Sequence, residues 1–168
     1  MSDIQESPFA GRIHGIDHLT LPVGDLAVAE RFYVGLLGAK VLMRVTPELL
    51  ASLGRTGDAA RSTHITIQLG TARIDLFPQG HGWPAATQDH PHIAFAVAAE
   101  DMVPMKNALE ANGVATEGPR RLGSPGQASL YFYDPFGNHL ELTCMGFPGD
   151  LPTGAPDLHE LARRAGRA

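Results

Sequence analysis

The sequence predicts an α+β fold built from two copies of a βαβββ module. Three observations predict it. The order strand, helix, three strands runs twice along the 168 residues. Each copy opens on an alternating strand, "IDHLTLPV" or "HPHIAFAV", and passes at once into a helical stretch. Late in each copy a strand after a glycine carries one carboxylate among apolar residues, "GTARIDLF" and "GNHLELTC", and Asp75 is matched with Glu141. The expected divisions are an N-terminal extension at 1–13, a first module at 14–80, a second at 81–146, and a C-terminal tether with a short helix at 147–168.

The elements follow in order. "IDHLTLPV" puts Leu19, Leu21 and Val23 on one face and His18 with Thr20 on the other, because strand side chains alternate. In "GDLAVAERFYVGLLGAK", Asp25 can cap a helix whose Ala29, Phe32, Tyr33, Leu36 and Leu37 fall on one side, and Gly38 can end it. Strands are predicted at about 39–45, 63–69 and 72–78, around a loop at 46–62 with one helical turn at 47–53. In the second copy, "EDMVPMKNALEANGV" reads as a helix capped by Asp101, with Pro104 in the first turn where it removes no helical hydrogen bond. Strands follow at about 114–117, 128–133 and 138–144. After Gly146 a Pro/Gly-rich tether leads to "DLHELARRA", a short helix expected to pack on the body or on a partner chain.

Composition bounds the partners. Apolar residues make up 43% and charged ones 18%, enough for a real core and against disorder. A net charge of -5 without a basic run argues against nucleic acid. No apolar run approaches the roughly 20 residues of a membrane span. The N-terminus lacks the basic-then-apolar plan of a signal peptide, and the single Cys144 suits a reducing compartment, so a cytoplasmic location is expected.

The polar faces carry the functional signal. Ile74 and Leu76 oppose Arg73, Asp75 and Phe77; Leu140, Leu142 and Cys144 oppose His139, Glu141 and Thr143. Leu130 and Phe132 oppose Ser129, Tyr131 and Tyr133, and Ile65, Ile67 and Leu69 oppose His64, Thr66 and Gln68. The face away from the helices thus gathers single ionisable groups at matching places in each copy. Imidazole with carboxylate on converging strands is a donor set for a divalent metal with positions left for substrate.

With these residues in view, the chain resembles the vicinal oxygen chelate superfamily of glyoxalases, fosfomycin-resistance proteins, extradiol dioxygenases and bleomycin-binding proteins. "GIDHLTLPVGDLAVAERFYVGLLGAK", "HPHIAFAV" and "LYFYDPFGNHLEL" carry the likeness, which covers roughly residues 14 to 146. The resemblance implies paired modules forming a cup-shaped mixed sheet around a metal, with helices on the outer face. It implies His18, His92 and Glu141 as metal ligands and Asp75 at a fourth position that only some subfamilies use. It also implies catalytic roles for Tyr131 and Thr20, with His64, Gln68 and Phe77 lining the substrate pocket.

Two residue sets divide the chemistries. The tail "L-Y-x-x-D-P-x-G-x-x-x-E" resembles the ring-cleaving signature, and a two-histidine, one-carboxylate triad suits Fe(II). The favoured reading is therefore an Fe(II) extradiol-type dioxygenase acting on a small molecule, with Asp75 outside the ligand set and paired with Arg73 or Arg44. Where ring-cleaving enzymes carry a histidine before the tyrosine, this chain has "RLGSPGQAS"; His81 and His90 are the loop histidines nearby. The alternative is a glyoxalase-like or epimerase-like isomerase, or a fosfomycin-type thiol or water transferase, using Ni, Zn, Mn or Co. Only Arg120 and Arg121 stand ready for an anionic substrate. A non-catalytic drug-binding protein is the second alternative. A homodimer is expected because a two-module cup leaves edges that need cover, and an exchanged dimer would join His18 of one subunit to His92 and Glu141 of the other.

Overall fold

The computed structural model describes residues 16–54, 63–78, 92–121 and 126–166. His81 and His90 lie outside them. The first module runs β1 (Leu19–Val23), α1 (Leu26–Glu30), β2 (Lys40–Val45), α2 (Pro47–Ser52), β3 (His64–Leu69) and β4 (Ala72–Pro78). The second runs β5 (Ile93–Ala96), α3 (Met102–Ala111), β6 (Thr116–Arg120), β7 (Gln127–Tyr133) and β8 (His139–Met145), and α4 (Leu158–Arg164) closes the chain. The fold is α+β, and the two sheets have the same plan. Their orders are β1-β4-β3-β2 and β5-β8-β7-β6, with β1 parallel to β4, β5 parallel to β8, and the other pairs antiparallel.

Local chemistry sets most of the boundaries. Asp25 caps α1 as expected, its Oδ1 accepting from Val28 N–H at 2.8 Å. The helix then widens into a π-helical turn over Arg31–Leu36, where Leu37 N–H donates to Phe32 O at 3.0 Å. The wider turn turns the adjacent Phe32 and Tyr33 both inward, and their rings meet edge to face at 5.1 Å. Asp101 does not cap α3: a 3-10 turn over Ala99–Asp101 precedes the helix, and the Asp101 side chain makes no cap hydrogen bond.

The largest departure from expectation is β6, which starts later and runs through Pro119. Proline removes a ladder donor, which points to a strand end; on an edge strand with a bulge it is tolerated. The register slips between Glu117 and Arg120, where Gly118 holds φ at 115°. A Cβ at Gly118 would sit 2.6 Å from Ser129 O, so only glycine fits this approach.

One apolar interior joins the modules. Leu21, Ile74 and Leu76 of the first sheet pack in one cluster with Leu130, Phe132 and Leu140 of the second and with Met102 and Leu109 of α3. Burying such a side chain contributes roughly 1.5–3 kcal/mol. A buried polar link adds direction. The Tyr33 hydroxyl donates to Asp134 Oδ2 at 2.7 Å, and Asn138 Nδ2 donates to Asp134 Oδ2 at 2.6 Å and to Pro22 O at 3.1 Å. With their apolar faces spent in this core, both sheets keep the opposite face for the ionisable residues.

Candidate metal centre

The first sheet presents His18 and Asp75. Asp75 lies beside Thr20 in the parallel β1–β4 register, so the carboxylate and the exposed threonine share a face. His18 Nδ1 is 2.7 Å from Asp17 Oδ1, which leaves Nε2 toward Asp75 Oδ2 at 3.9 Å. That hydrogen bond and the charge of His18 hold the Asp17 carboxyl below its ordinary range. A carboxylate on one ring nitrogen fixes the orientation of the other, as outer partners do for metal-ligating histidines. Asp75 is buried, and its Oδ1 accepts from Thr66 Oγ1 at 2.6 Å.

The expected arginine partner of Asp75 is thus replaced by Thr66, its cross-strand neighbour. Arg44 instead grips Glu30 with two hydrogen bonds of 2.7 and 2.5 Å. His64 stacks on Phe77 at 4.3 Å, forming one wall of the first-module face. Gln68 is exposed and its amide donates to Gly70 O, so it serves the neighbouring turn.

The second sheet repeats the pair at closer range. His92 Nε2 is 2.7 Å from Glu141 Oε2. The Glu141 side chain is 6% exposed and that of His92 23%. Tyr131 stands directly across the ladder from Glu141, with its ring 5.8 Å from that of His92. Burial, then the Glu141 charge, push the Tyr131 phenol above its ordinary value, against smaller opposite effects of Ser129 and Arg120. At neutral pH Tyr131 is therefore a proton-bearing donor and not a base.

Among the described residues no three histidine, cysteine or carboxylate groups come close enough to hold one ion. The structure brings the predicted ligands together two by two, His18 with Asp75 and His92 with Glu141. It does not join His18 to His92 and Glu141 within the chain.

Two further groups join the predicted site residues. His139, two residues before Glu141, packs its ring 5.3 Å from His92, 5.6 Å from Tyr131 and 5.0 Å from Tyr133. Strand alternation places it on the Glu141 face, which was the available signal. On β6 Glu117 stands opposite Tyr131, and Arg120, beyond the expected strand end, stands opposite Ser129. Arg120 is engaged by Glu117 and by the carbonyls of Gly154 and Ala155. The Nε atoms of both Arg120 and Arg121 are buried with no hydrogen-bond partner among the described residues.

Residues 15–142 match the model of the glyoxalase/bleomycin resistance protein/dioxygenase superfamily. The chain belongs to this superfamily. It is similar to the glutathione transferase FosA of Serratia marcescens, at 32% identity over 130 residues, covering 77% of this chain and 80% of the relative. Among solved structures it is similar to a mutant of the fosfomycin resistance protein FosX from Listeria monocytogenes, complexed with Mn(II) and 1S,2S-dihydroxypropylphosphonic acid. That match has a TM-score of 0.60 at 25% identity, covering 79% of this chain and 93% of that one. An integron cassette protein from the Halifax Harbour sewage outfall matches at a TM-score of 0.58 and 26% identity, covering 79% and 100%. In that FosX structure a divalent metal, Mn(II), is bound. These relatives lend no support to ring cleavage or to iron; they favour the fosfomycin-type alternative. No helix among the described residues is long and apolar enough to cross a membrane.

Proposed function

We propose that this superfamily member is a metal-dependent enzyme that opens the epoxide of fosfomycin, or of a similar small phosphonate, by adding a thiol or water. The observation that carries the reading is the pair of His–carboxylate sets at matching positions of two like sheets, one at 2.7 Å and one at 3.9 Å. In such a mixed donor set the imidazole nitrogens suit Zn or Ni and the carboxylate oxygens suit Mn. His18, His92 and Glu141 would hold the ion, with Asp75 beside it. When bound, such an ion supplies Lewis acidity to a neighbouring substrate oxygen.

The chain's own residues do the rest. Tyr131 keeps its proton and donates a hydrogen bond to a substrate oxygen. Arg121, whose buried Nε lacks a partner among the described residues, is a donor that a phosphonate oxygen would satisfy; a buried donor left unpaired is costly. Thr20, exposed beside Asp75, offers its hydroxyl to a group bound close to the ion. In the reaction a C–S or C–O bond forms at one epoxide carbon as its C–O bond breaks, and the released oxygen takes a proton.

Two copies complete the centre, each giving His18 to the partner's His92 and Glu141. A cavity of about 770 Å³ along the free edges of β1 and β5, lined by Leu19, Leu69, Phe95, Val97 and Met105, supports this pairing. The reading also keeps the protein in the cytoplasm, where the thiol glutathione is abundant. The test is phosphorus NMR of fosfomycin incubated with the Mn(II)-loaded protein, with and without glutathione. A thiol adduct or diol upholds the reading; unchanged fosfomycin together with oxygen uptake on catechols would return it to ring cleavage. A glyoxalase-like isomerase is the second reading, favoured by the buried Asp75 beside His18.

A further inference from the structure

Helix α4 lies on the same face of the second sheet as Glu141. Leu158, Leu161 and Ala162 pack on Tyr131 and Tyr133, and Tyr131 is left 2% exposed. Yet α4 has only seven residues. A helix that short has little stability of its own, so its place depends on what ties it down. Three ties are visible. Arg121 N–H donates to Pro152 O at 2.8 Å, which lays the tether along the β6 edge as a bridge from Arg121 to Thr153. Arg164 donates to Thr116 O at 2.8 Å. Arg120 holds the turn just before the helix, donating to Gly154 O at 3.0 Å and Ala155 O at 2.9 Å while Glu117 pairs with its other nitrogen.

Arg120 is the tie made by a sheltered charge, its side chain 17% exposed. Charge-assisted bonds to carbonyls are stronger than neutral ones. A planar guanidinium can hold two carbonyls and a carboxylate at once, which an ammonium on a flexible stem does poorly. From this geometry we infer that Arg120 is a positioning residue: it clamps the C-terminal strap so that α4 seats on Tyr131 and fixes its phenol beside Glu141 and His92. The inference rests on the proposed role of Tyr131 for its catalytic consequence, though not for the clamp itself. The helix also keeps water from one side of the phenol, so releasing the strap frees the ring to turn and wets the site.

The experiment compares Arg120→Ala and Arg120→Lys with the unaltered dimeric protein. Three readouts are taken: hydrogen exchange over 152–164, nitration of Tyr131 by tetranitromethane, and kcat and KM for fosfomycin with glutathione. In Arg120→Ala, exchange across the strap rises by about tenfold or more, and Tyr131 becomes nitratable. There kcat falls on the order of tenfold with KM within about twofold, as for a lost transition-state contact. Arg120→Lys restores part of the protection and part of kcat. Should Arg120→Ala be recovered unfolded, Leu161→Ala, which removes the helix's own contact with the tyrosines, gives the same three readouts. Tyr131 staying protected in the released variants, or kcat unchanged while Tyr131 is exposed, overturns the inference. If the unaltered protein leaves fosfomycin intact, the proposed function falls, and the clamp is then upheld or overturned by Tyr131 protection alone.

Discussion

His92 and Glu141 approach to 2.7 Å across the parallel pair β5–β8. The contact joins a residue at a strand entrance to one at the centre of the neighbouring strand. A carboxylate this buried needs a partner, because an isolated buried charge is costly. An imidazole alone meets that need, and a shared metal ion meets it better.

Replacing His92 by Ala therefore separates metal binding from folding. The ring lies outside the apolar core, so the fold should survive, but the buried Glu141 carboxylate loses its partner and stability should fall by about 1–3 kcal/mol. Bound Mn(II), counted by metal analysis after dialysis, should fall by on the order of tenfold or more, as loss of an inner ligand implies. Full metal content in this variant would show that the ion sits elsewhere.

The exchanged arrangement predicts complementation. A chain with His18→Ala and one with His92→Ala are each inactive alone. Mixed one to one and allowed to exchange subunits, half of the dimers are mixed, and each contains one intact centre of two. Activity should return to about a quarter of the unaltered level under C₂ pairing. No recovery, with subunit exchange demonstrated by mass, would place the whole centre within one chain.

Tyr33 gives a stability prediction with a definite sign in pH. Burial, then the nearby Asp134 charge and hydrogen bond, raise its phenol far above the ordinary tyrosine value. Only the unfolded chain ionises Tyr33 near pH 10. Its contribution is thus fully present below pH 10 and is lost progressively as pH rises beyond it. Denaturant midpoints should fall above about pH 10, and Tyr33→Phe should flatten that fall. The same variant should cost about 1–3 kcal/mol at pH 7, since Asp134 loses one buried donor. An unchanged alkaline profile in Tyr33→Phe would assign the fall to other groups.

How far the sequence reached is seen in three residues. Glu141 and its face were legible because period-two alternation is a geometric property of any strand and needs no tertiary information. Arg120 was not placed, since Pro119 signals a strand end by its missing N–H, and only the bulge at Gly118 lets the edge strand continue past it. Asp75 was placed on the right face but given the wrong partner. Arg73 or Arg44 is the counter-charge expected across the sheet, whereas the observed register offers Thr66 across the ladder. Register between distant segments is where local pattern ends.

Asp75 divides the remaining chemistries. A carboxylate that ligates leaves two positions for substrate and suits an isomerase; one held back by Thr66 leaves three, enough for a chelating phosphonate and more. Its Oδ1 is already engaged at 2.6 Å, while Oδ2 faces His18 Nε2 at 3.9 Å, a gap that an ion between them would close. Asp75→Asn keeps the shape and an oxygen for Thr66 but removes the charge. If Asp75 stands outside the ligand set, Mn(II) affinity should change by less than about tenfold, the low end of the effect of outer partners on metal sites. Fosfomycin turnover should then persist. A loss of a hundredfold or more would make Asp75 a ligand, and the same preparation should then be assayed for glyoxalase-like isomerisation of thiohemiacetals. Titration calorimetry of Mn(II) into the metal-free variant and into the unaltered protein decides between the two.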